Sequence, residues 1–261
     1  MKNMLSKFRR FCVDRFLQKE LAAQRDALKA KETEIAELNR KLTENVLTRY
    51  LPPKVVQDVL RGKLEFDMKV KAETVTVLFA DLCGFTAATE RLGPKEISEI
   101  LNQYLIGMTE IVFAHDGIVD KFVGDGIMAL FGVPGKMYPE SQADSAIKTA
   151  LAMQEKVAFL NESWRAAGLP ELRMRIGVHQ GPVVVGHFGG TRRSDYTAIG
   201  MTVNIASRIE CAGQPGDVLV SKTVSDFLAR GQCAAAGSFE LKGVTGEQPL
   251  YRVLGPSAKA A

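Results

Sequence analysis

The sequence lacks the features that direct a chain into a membrane or out of the cell. Its longest apolar runs, 75–80 and 127–133, fall far short of the roughly 18–20 residues that a membrane-spanning helix needs. The N terminus has neither the uninterrupted apolar stretch nor the small-residue cleavage site of a secretory signal. We therefore expect a cytoplasmic protein.

Cysteine is scarce, and the charge is nearly balanced. The four cysteines form no CxxC pair and no Cys/His cluster, which argues against a disulfide framework and against a zinc site. A net charge of +4 over 261 residues is too small to indicate nucleic-acid binding. The cysteines are Cys12, Cys83, Cys211 and Cys233.

Residues from about 14 to 48 carry apolar side chains at heptad spacing. This pattern predicts one long helix that forms a short parallel coiled coil. The alternative is a single solvated helix that packs on its own domain. The seam consists of Leu17, Leu21, Leu28, Ile35, Leu38 and Leu42.

The first 20 residues are basic and contain interleaved phenylalanines. Such a segment resembles an interfacial helix that touches a membrane peripherally. The alternative is the end of a signalling helix, which would meet an upstream regulatory partner. Pro52-Pro53 should stop the long helix. We therefore divide the chain into a basic segment with the coiled-coil helix (1–50), a connector (51–72), a main domain (73–255) and a tail (256–261).

The main domain alternates strands and helices in the order βαββαβ, followed by further short strands and one helix. This order predicts an α+β fold with a ferredoxin-like core, in which the first strand pairs beside the central hairpin. The predicted strands are 75–80, 117–123, 127–133, 173–179, 183–185, 195–199, 218–221, 238–241 and 250–253, and the predicted helices are 94–115, 141–168 and 202–212.

Two aspartates stand where apolar strands end near glycine. Asp81 follows the first strand, and Asp125 lies in the Gly-Asp-Gly connection of the hairpin. Taken singly, Asp81 is typical of a helix cap, and Asp125-Gly126 is typical of a hairpin turn in which both residues tolerate positive φ. The predicted topology brings the two carboxylates together, and such a pair can hold divalent cations against nucleotide phosphates. The turn from Cys83 to Thr86 offers backbone N–H groups to a phosphate.

Five motifs together resemble the class III nucleotidyl cyclases, in order and with the spacing of that family. The resemblance covers roughly residues 74–254, so the domain of 73–255 is interpreted as a cyclase catalytic domain preceded by a long helix. The motifs are FADLCGFT (79–86), DKFVGDGIMALFG (120–132), RIGVHQGPVVVG (175–186), DYTAIGMTVNIASRIE (195–210) and ELKG (240–243).

The resemblance implies that Asp81, Asp125 and the backbone carbonyl of Leu82 hold two Mg²⁺ or Mn²⁺ ions. It also implies a grip on the triphosphate by the loop after the first strand and by two basic residues. The substrate-binding residues of this grip are Leu82, Cys83, Gly84, Phe85, Thr86, Arg175 and Lys242.

At the base-recognition positions the chain has Lys121 and Thr197. A lysine ammonium suits the N1 acceptor of adenine and a hydroxyl can accept from its N6 amino group, whereas guanine needs a glutamate in place of the lysine. By resemblance, Asn204 orients the ribose and Arg208 stabilises charge on the α-phosphate. Met201 departs from the family, which usually has aspartate or asparagine there.

The resemblance therefore implies an adenylate cyclase that makes 3′,5′-cyclic AMP and pyrophosphate from ATP. In this family, the metal aspartates and the base-binding residues of one site belong to different subunits, so a head-to-tail homodimer is expected. The alternatives are a guanylate cyclase and a non-catalytic nucleotide-binding regulatory module.

Overall fold

The computed structural model describes residues 2–47, 53–63, 69–190 and 193–255. The predicted tail (256–261), Pro52 and part of the predicted connector (64–68) lie outside these ranges. The chain divides into two units, Met1–Arg49 and Tyr50–Ala261. None of the helices in the described ranges is long and apolar enough to cross a membrane.

The first unit contains one helix, α1 (Lys2–Leu47), which begins well before the predicted residue 14. Side chains are described there at positions 15 and 17–41, so most of the basic segment, and Leu42 of the seam, lie outside that description. The described seam residues are exposed by more than half: Leu17, Leu21, Leu28, Ile35 and Leu38.

The second unit is built on an eight-stranded sheet. Seven strands follow the order β2-β3-β1-β4-β6-β8-β7, and β5 pairs with β4. The first four reproduce the predicted ferredoxin-like arrangement, with β1 between β3 and β4 and antiparallel to both. The strands are β1 (Lys71–Cys83), β2 (Ile118–Val123), β3 (Gly126–Phe131), β4 (Arg173–Gly190), β5 (Arg193–Ile199), β6 (Val218–Ser221), β7 (Cys233–Glu240) and β8 (Glu247–Val253).

In the described part of the second unit, six helices accompany the sheet. Three of them match the predicted helices closely, and three short ones were not predicted; of these, α2 lies in the predicted connector. They are α2 (Pro53–Leu60), α3 (Phe85–Arg91), α4 (Pro94–Ala114), α5 (Pro139–Ala166), α6 (Met201–Ala212) and α7 (Lys222–Ser225).

One prediction about the strands was wrong. Residues 173–179 and 183–185 were expected as two strands, and Gly181-Pro182, which is typical of a break, lies between them. They form the single strand β4, since β1 supplies a partner along this whole length, from Cys83 opposite Arg173 to Lys71 opposite Val185. The backbone ladder of this long pair overrides the local turn preference.

Helices α4 and α5 cover one face of the sheet. Alternate residues of β1 and β4 enter the main core with them, including Leu78, Ala80 and Leu82 of β1. Because successive side chains of a strand point to opposite faces, Asp81 and Arg175 lie on the other face. The Gln142 side chain ties α5 to β1 by accepting the Thr76 N–H at 3.0 Å.

Helix α6 packs on that other face at unusually close range. A Cβ built on Gly177 of β4 would lie 2.1 Å from the backbone nitrogen of Glu210, and one built on Gly181 would lie 2.7 Å from the Thr202 hydroxyl oxygen. Beyond β4, a smaller core joins Ile209 of α6 to the C-terminal strands. Glycine on β4 therefore sets how closely α6 approaches the sheet.

The close packing of α6 against Gly177 predicts that Gly177→Ala destabilises the protein. The added methyl group meets helix backbone, which cannot rotate away, so we expect a loss of roughly 1–3 kcal/mol in the free energy of unfolding. Denaturant titration measures it. Gly135→Ala is the matched control, because a Cβ there meets nothing within 4 Å. Equal stability of the two variants would contradict the close packing of α6.

The buried imidazole of His179 should make the free energy of unfolding depend on pH. Burial lowers its pKa from 6.5 to about 4, and its Nδ1 lies 2.8 Å from the Ser221 hydroxyl oxygen. The unfolded chain therefore binds more protons between these two values, so the stability contribution is complete above pH 6.5 and is lost as the pH falls toward 4.

Between pH 7.5 and pH 5, we expect wild type to lose about 2 kcal/mol more unfolding free energy than His179→Gln does. Denaturant titration at both pH values measures the difference. The glutamine retains polar atoms that can reach Ser221 but does not titrate in this range. The same pH slope in both proteins would argue against a neutral buried His179.

Candidate active site

The two predicted metal-binding aspartates lie together at the end of β1. Asp81 is near the last residue of the strand, and Asp125 lies in the turn that joins β2 to β3. The Leu82 N–H donates to Asp125 Oδ2 at 3.2 Å, across 43 residues of sequence. Burial, and then the nearby negative charge of Asp81, raise the pKa of the Asp125 carboxyl.

Glycine shapes the space around these carboxylates. A Cβ on Gly126 would lie 3.4 Å from Asp81 Oδ1, so glycine leaves the space beside that oxygen unfilled. The turn that was expected at Asp125-Gly126 lies one residue earlier, at Gly124-Asp125. The positive φ belongs to Gly124, at 66°, while Gly126 already starts β3. Asp125 therefore needs no left-handed backbone to present its carboxylate.

Arg175 lies beside the aspartates, because β4 places it opposite Asp81. Its Nη2 donates to Asp81 Oδ2 at 3.2 Å, and its Nε donates to Glu210 Oε1. Glu210 projects from α6 and its side chain is only 7% exposed. Burial raises the pKa of its carboxyl, while the hydrogen bond and charge of Arg175 act against that rise.

Glu210 was not predicted as part of the site. It lies within the matched motif of residues 195–210, but only the packing of α6 on Gly177 reveals that it holds Arg175. We call Asp81, Asp125, Arg175 and Glu210 the acidic cluster.

The turn after β1 has the geometry of a backbone loop that is open to a ligand. Gly84 has a φ of 84° and precedes α3, and a Cβ there would meet nothing within 4 Å. Phe85 anchors the turn in the core, whereas Thr86 is exposed. Burial raises the pKa of the Cys83 thiol. Leu82 is buried beside the Asp125 carboxylate.

Lys121 and Thr197 are joined by a third residue, Asp120. The Thr197 hydroxyl donates to Asp120 Oδ2 at 2.9 Å, and Lys121 Nζ lies 3.2 Å from the same oxygen. The Asp120 side chain is fully enclosed, whereas that of Lys121 is 45% exposed. Burial raises the pKa of the Asp120 carboxyl, against the opposing effects of Thr197 and Lys121.

We call Asp120, Lys121 and Thr197 the base cluster. Asp120 was not predicted, although it stands next to Lys121 in the matched motif. In the sequence, Asp120 is visible only as an acidic residue on a strand. Its contact with Thr197 spans 77 residues, so no local pattern indicates it.

The other predicted residues do not join these clusters. Asn204 and Arg208 lie on the exposed face of α6, and Lys242 is exposed just after β7. In the described part of the chain, no hydrogen bond or ion pair links these three to either cluster. Met201, the departure from the family pattern, opens α6 and is 56% exposed.

The acidic cluster fits a magnesium-like ion. Among the described residues, no group of three or more His, Cys, Asp and Glu side chains is placed to hold a metal. Mg²⁺ is commonly held by one or two carboxylates together with substrate phosphates and water. Asp81, whose Oδ1 borders the unfilled space at Gly126, and Asp125 supply such a partial ligand set.

Comparisons with known proteins agree with this geometry. Residues 68–255 match the family model described as the adenylate and guanylate cyclase catalytic domain. Adenylate cyclase 1 of Rhizobium meliloti (strain 1021) is 34% identical over 212 residues, which cover 79% of this chain and 31% of that protein. The chain spans about a third of the length of the curated adenylate cyclases it matches.

Solved structures show the same fold. The adenylyl cyclase CyaB from P. aeruginosa superposes with a TM-score of 0.70 at 34% identity, covering 71% of this chain and 96% of that chain. The guanylyl cyclase Cya2 gives a TM-score of 0.67 at 33% identity, with 72% and 95% covered. The ferredoxin-like sheet with its C-terminal additions is thus the class III cyclase fold, and the chain belongs to the adenylate and guanylate cyclase catalytic domain family, the class III nucleotidyl cyclases.

Proposed function

We propose that this chain is an adenylate cyclase that converts ATP into 3′,5′-cyclic AMP and pyrophosphate. The observation that carries the proposal is the base cluster, in which an ammonium and a hydroxyl from two distant strands are held side by side. Adenine offers an acceptor at N1 and a donor at the adjacent N6 amino group. Lys121 can donate to the first, and the Thr197 oxygen can accept from the second.

The acidic cluster supports a role at the phosphates. Catalytic domains of this family generally use divalent metal ions. We propose two Mg²⁺ or Mn²⁺ ions per site, held by Asp81, Asp125 and the Leu82 carbonyl. When bound, they would polarise the ribose 3′-hydroxyl and neutralise charge on the triphosphate.

The protein's own residues would then position the reacting groups. The 3′-oxygen loses its proton and bonds to the α-phosphorus, while the bond from that phosphorus to the departing pyrophosphate breaks. Arg175 and Lys242, with the backbone N–H groups of residues 83–86, would hold the triphosphate. Asn204 would orient the ribose, and Arg208 would stabilise the charge that develops on the α-phosphate.

We further propose that the active form is a head-to-tail homodimer with two shared sites. Exposed apolar side chains flank both clusters, which is typical of an interface. Phe122 and Val123 precede the Asp125 turn and are 47% and 63% exposed; Ile199 and Met201 follow Thr197 and are 50% and 56% exposed. Each site would combine the acidic cluster of one subunit with the base cluster, Asn204 and Arg208 of the other.

The exposed seam of α1 supports a parallel coiled coil in this dimer. A helix with a row of exposed leucines and isoleucine gains stability by pairing with a second copy. Pairing would also raise the local concentration of the two catalytic domains. The proposed contact of residues 1–20 with a membrane or a regulatory partner stays a prediction.

Guanylate cyclase activity is the second candidate, because the matched structures include a guanylyl cyclase at similar identity. Guanine reverses the hydrogen-bond polarity, with a donor at N1 and an acceptor at O6. Lys121 has no acceptor to offer a guanine N1–H, so the chemistry of the base cluster favours adenine.

A cyclase assay on the purified chain tests the proposal. With ATP or GTP, and with Mg²⁺ or Mn²⁺, we expect cyclic AMP formation with at least about a tenfold higher kcat/KM for ATP than for GTP. A preference for GTP would establish the second candidate instead. Nucleotide binding without any cyclic product would favour the regulatory module.

Mixing two inactive variants tests the shared sites. Asp81→Ala and Lys121→Ala should each lower kcat by at least about 100-fold. A 1:1 mixture should regain roughly a quarter of wild-type activity, because half of the dimers are hybrids with one intact site. Asp144→Ala, at an exposed pair on α5, should keep full activity alone. A mixture no more active than its components would argue that each site belongs to one chain.

A further inference from the structure

The base cluster contains more than the two side chains that would touch the base. One oxygen of Asp120 receives both the Thr197 hydroxyl at 2.9 Å and the Lys121 ammonium at 3.2 Å. The Asp120 side chain has no solvent exposure, and Thr197 is only 6% exposed. Water therefore has little access to this hydrogen bond.

The chemistry of the two groups fixes the direction of the hydrogen bond. An ionised carboxylate has only lone pairs, so the hydroxyl must donate its single proton to Asp120. The Thr197 oxygen then has lone pairs alone to offer any further partner. A free threonine hydroxyl, by contrast, can rotate and either donate or accept.

We propose that Asp120 is a specificity-determining residue, which makes Thr197 an obligatory acceptor and so directs the site toward a base with an amino group at position 6. Asp120 acts through Thr197 and does not touch the nucleotide itself. Together, the two residues present the polarity that a carboxylate at position 197 would present alone. The inference rests on the proposed function, because it assumes that Lys121 and Thr197 meet the base.

The same oxygen also fixes the relative position of the two base-binding groups. Lys121 has three N–H donors, so one can remain on Asp120 while another reaches the N1 acceptor of adenine. An oxygen at position 6, as in hypoxanthine or guanine, would face the Thr197 lone pairs without a proton between them. Such an unpaired contact in an enclosed site lowers affinity.

A purely structural role for Asp120 would predict a different outcome. If Asp120 only supported the fold, its loss would weaken all purine nucleotides alike. If it acted only on Lys121, which would meet N1, a carboxylate at position 197 would not restore the ratio. If it sets the polarity of Thr197, its loss would change the ratio between nucleotides that differ at position 6. A carboxylate introduced at position 197 would then restore the ratio.

The experiment compares ATP with inosine triphosphate, which carries an oxygen where adenine has its amino group and a proton on N1 where adenine has a lone pair. Both nucleotides compete against a fluorescent ribose-labelled ATP for binding to the purified full chain, so turnover is not needed. The variants are Asp120→Val, Asp120→Asn and the double variant Asp120→Val/Thr197→Asp. Asp226→Asn, at an exposed ion pair with Lys222 just after α7, is the control.

We expect Asp120→Val to reduce the preference for ATP over inosine triphosphate by about tenfold. Asp120→Asn should give a smaller reduction, because its amide retains one acceptor oxygen and gains a donor. The double variant should regain most of the preference, and Asp226→Asn should match wild type. Circular dichroism checks folding, and Asp120→Asn alone carries the comparison if Asp120→Val does not fold.

Three results would overturn the inference. One is an ATP preference within about twofold of wild type in both Asp120 variants. Another is a loss that the double variant fails to restore, and the third is the absence of competition by either nucleotide. The proposed function fails separately, when wild type binds ATP with the expected preference but yields no cyclic product.

Discussion

The site depends on two carboxylates of like charge that the sheet holds against each other at the end of β1. Burial raises the pKa of the Asp125 carboxyl and the negative charge of Asp81 raises it further, so bringing the two carboxylates together is unfavourable in the absence of a cation. The Leu82 N–H and Arg175 offset part of the repulsion. A divalent cation would offset more of this repulsion, so the fold favours the binding of positive charge at this position.

The sheet can hold this pair because β1 is an interior strand with a partner on each side. One side of β1 pairs with β3, which brings the Asp125 turn to Asp81, and the other side pairs with β4, which brings Arg175. Helices α4 and α5 bury the opposite face and leave the site face to α6. Glycine at position 177 then lets α6 come close enough for Glu210 to reach Arg175. The packing of one helix thus connects the core to the charge balance of the site.

The sequence predicted the ends of strands better than the contacts between distant elements. Asp81 and Asp125 could be predicted as a pair, because the order βαββαβ places β1 beside the hairpin whatever the details of its turn. Lys121 and Thr197 could be predicted only through the family resemblance, since neither has a distinctive local pattern. Asp120 and Glu210 were missed, because their roles depend on partners 77 and 35 residues away that no local spacing indicates.

The two residues that were missed, Glu210 and Asp120, have the same arrangement in the acidic cluster and in the base cluster. Each cluster has an enclosed carboxylate, Glu210 or Asp120, that grips a cation with greater exposure, Arg175 or Lys121. Burying an acid is costly, and the raised pKa values of both carboxyls reflect this. Because a flexible arginine or lysine on an open sheet face would otherwise sample many positions, each buried acid holds its cation in one orientation. If the two cations bind the nucleotide as proposed, little reorganisation would be left for the moment of binding.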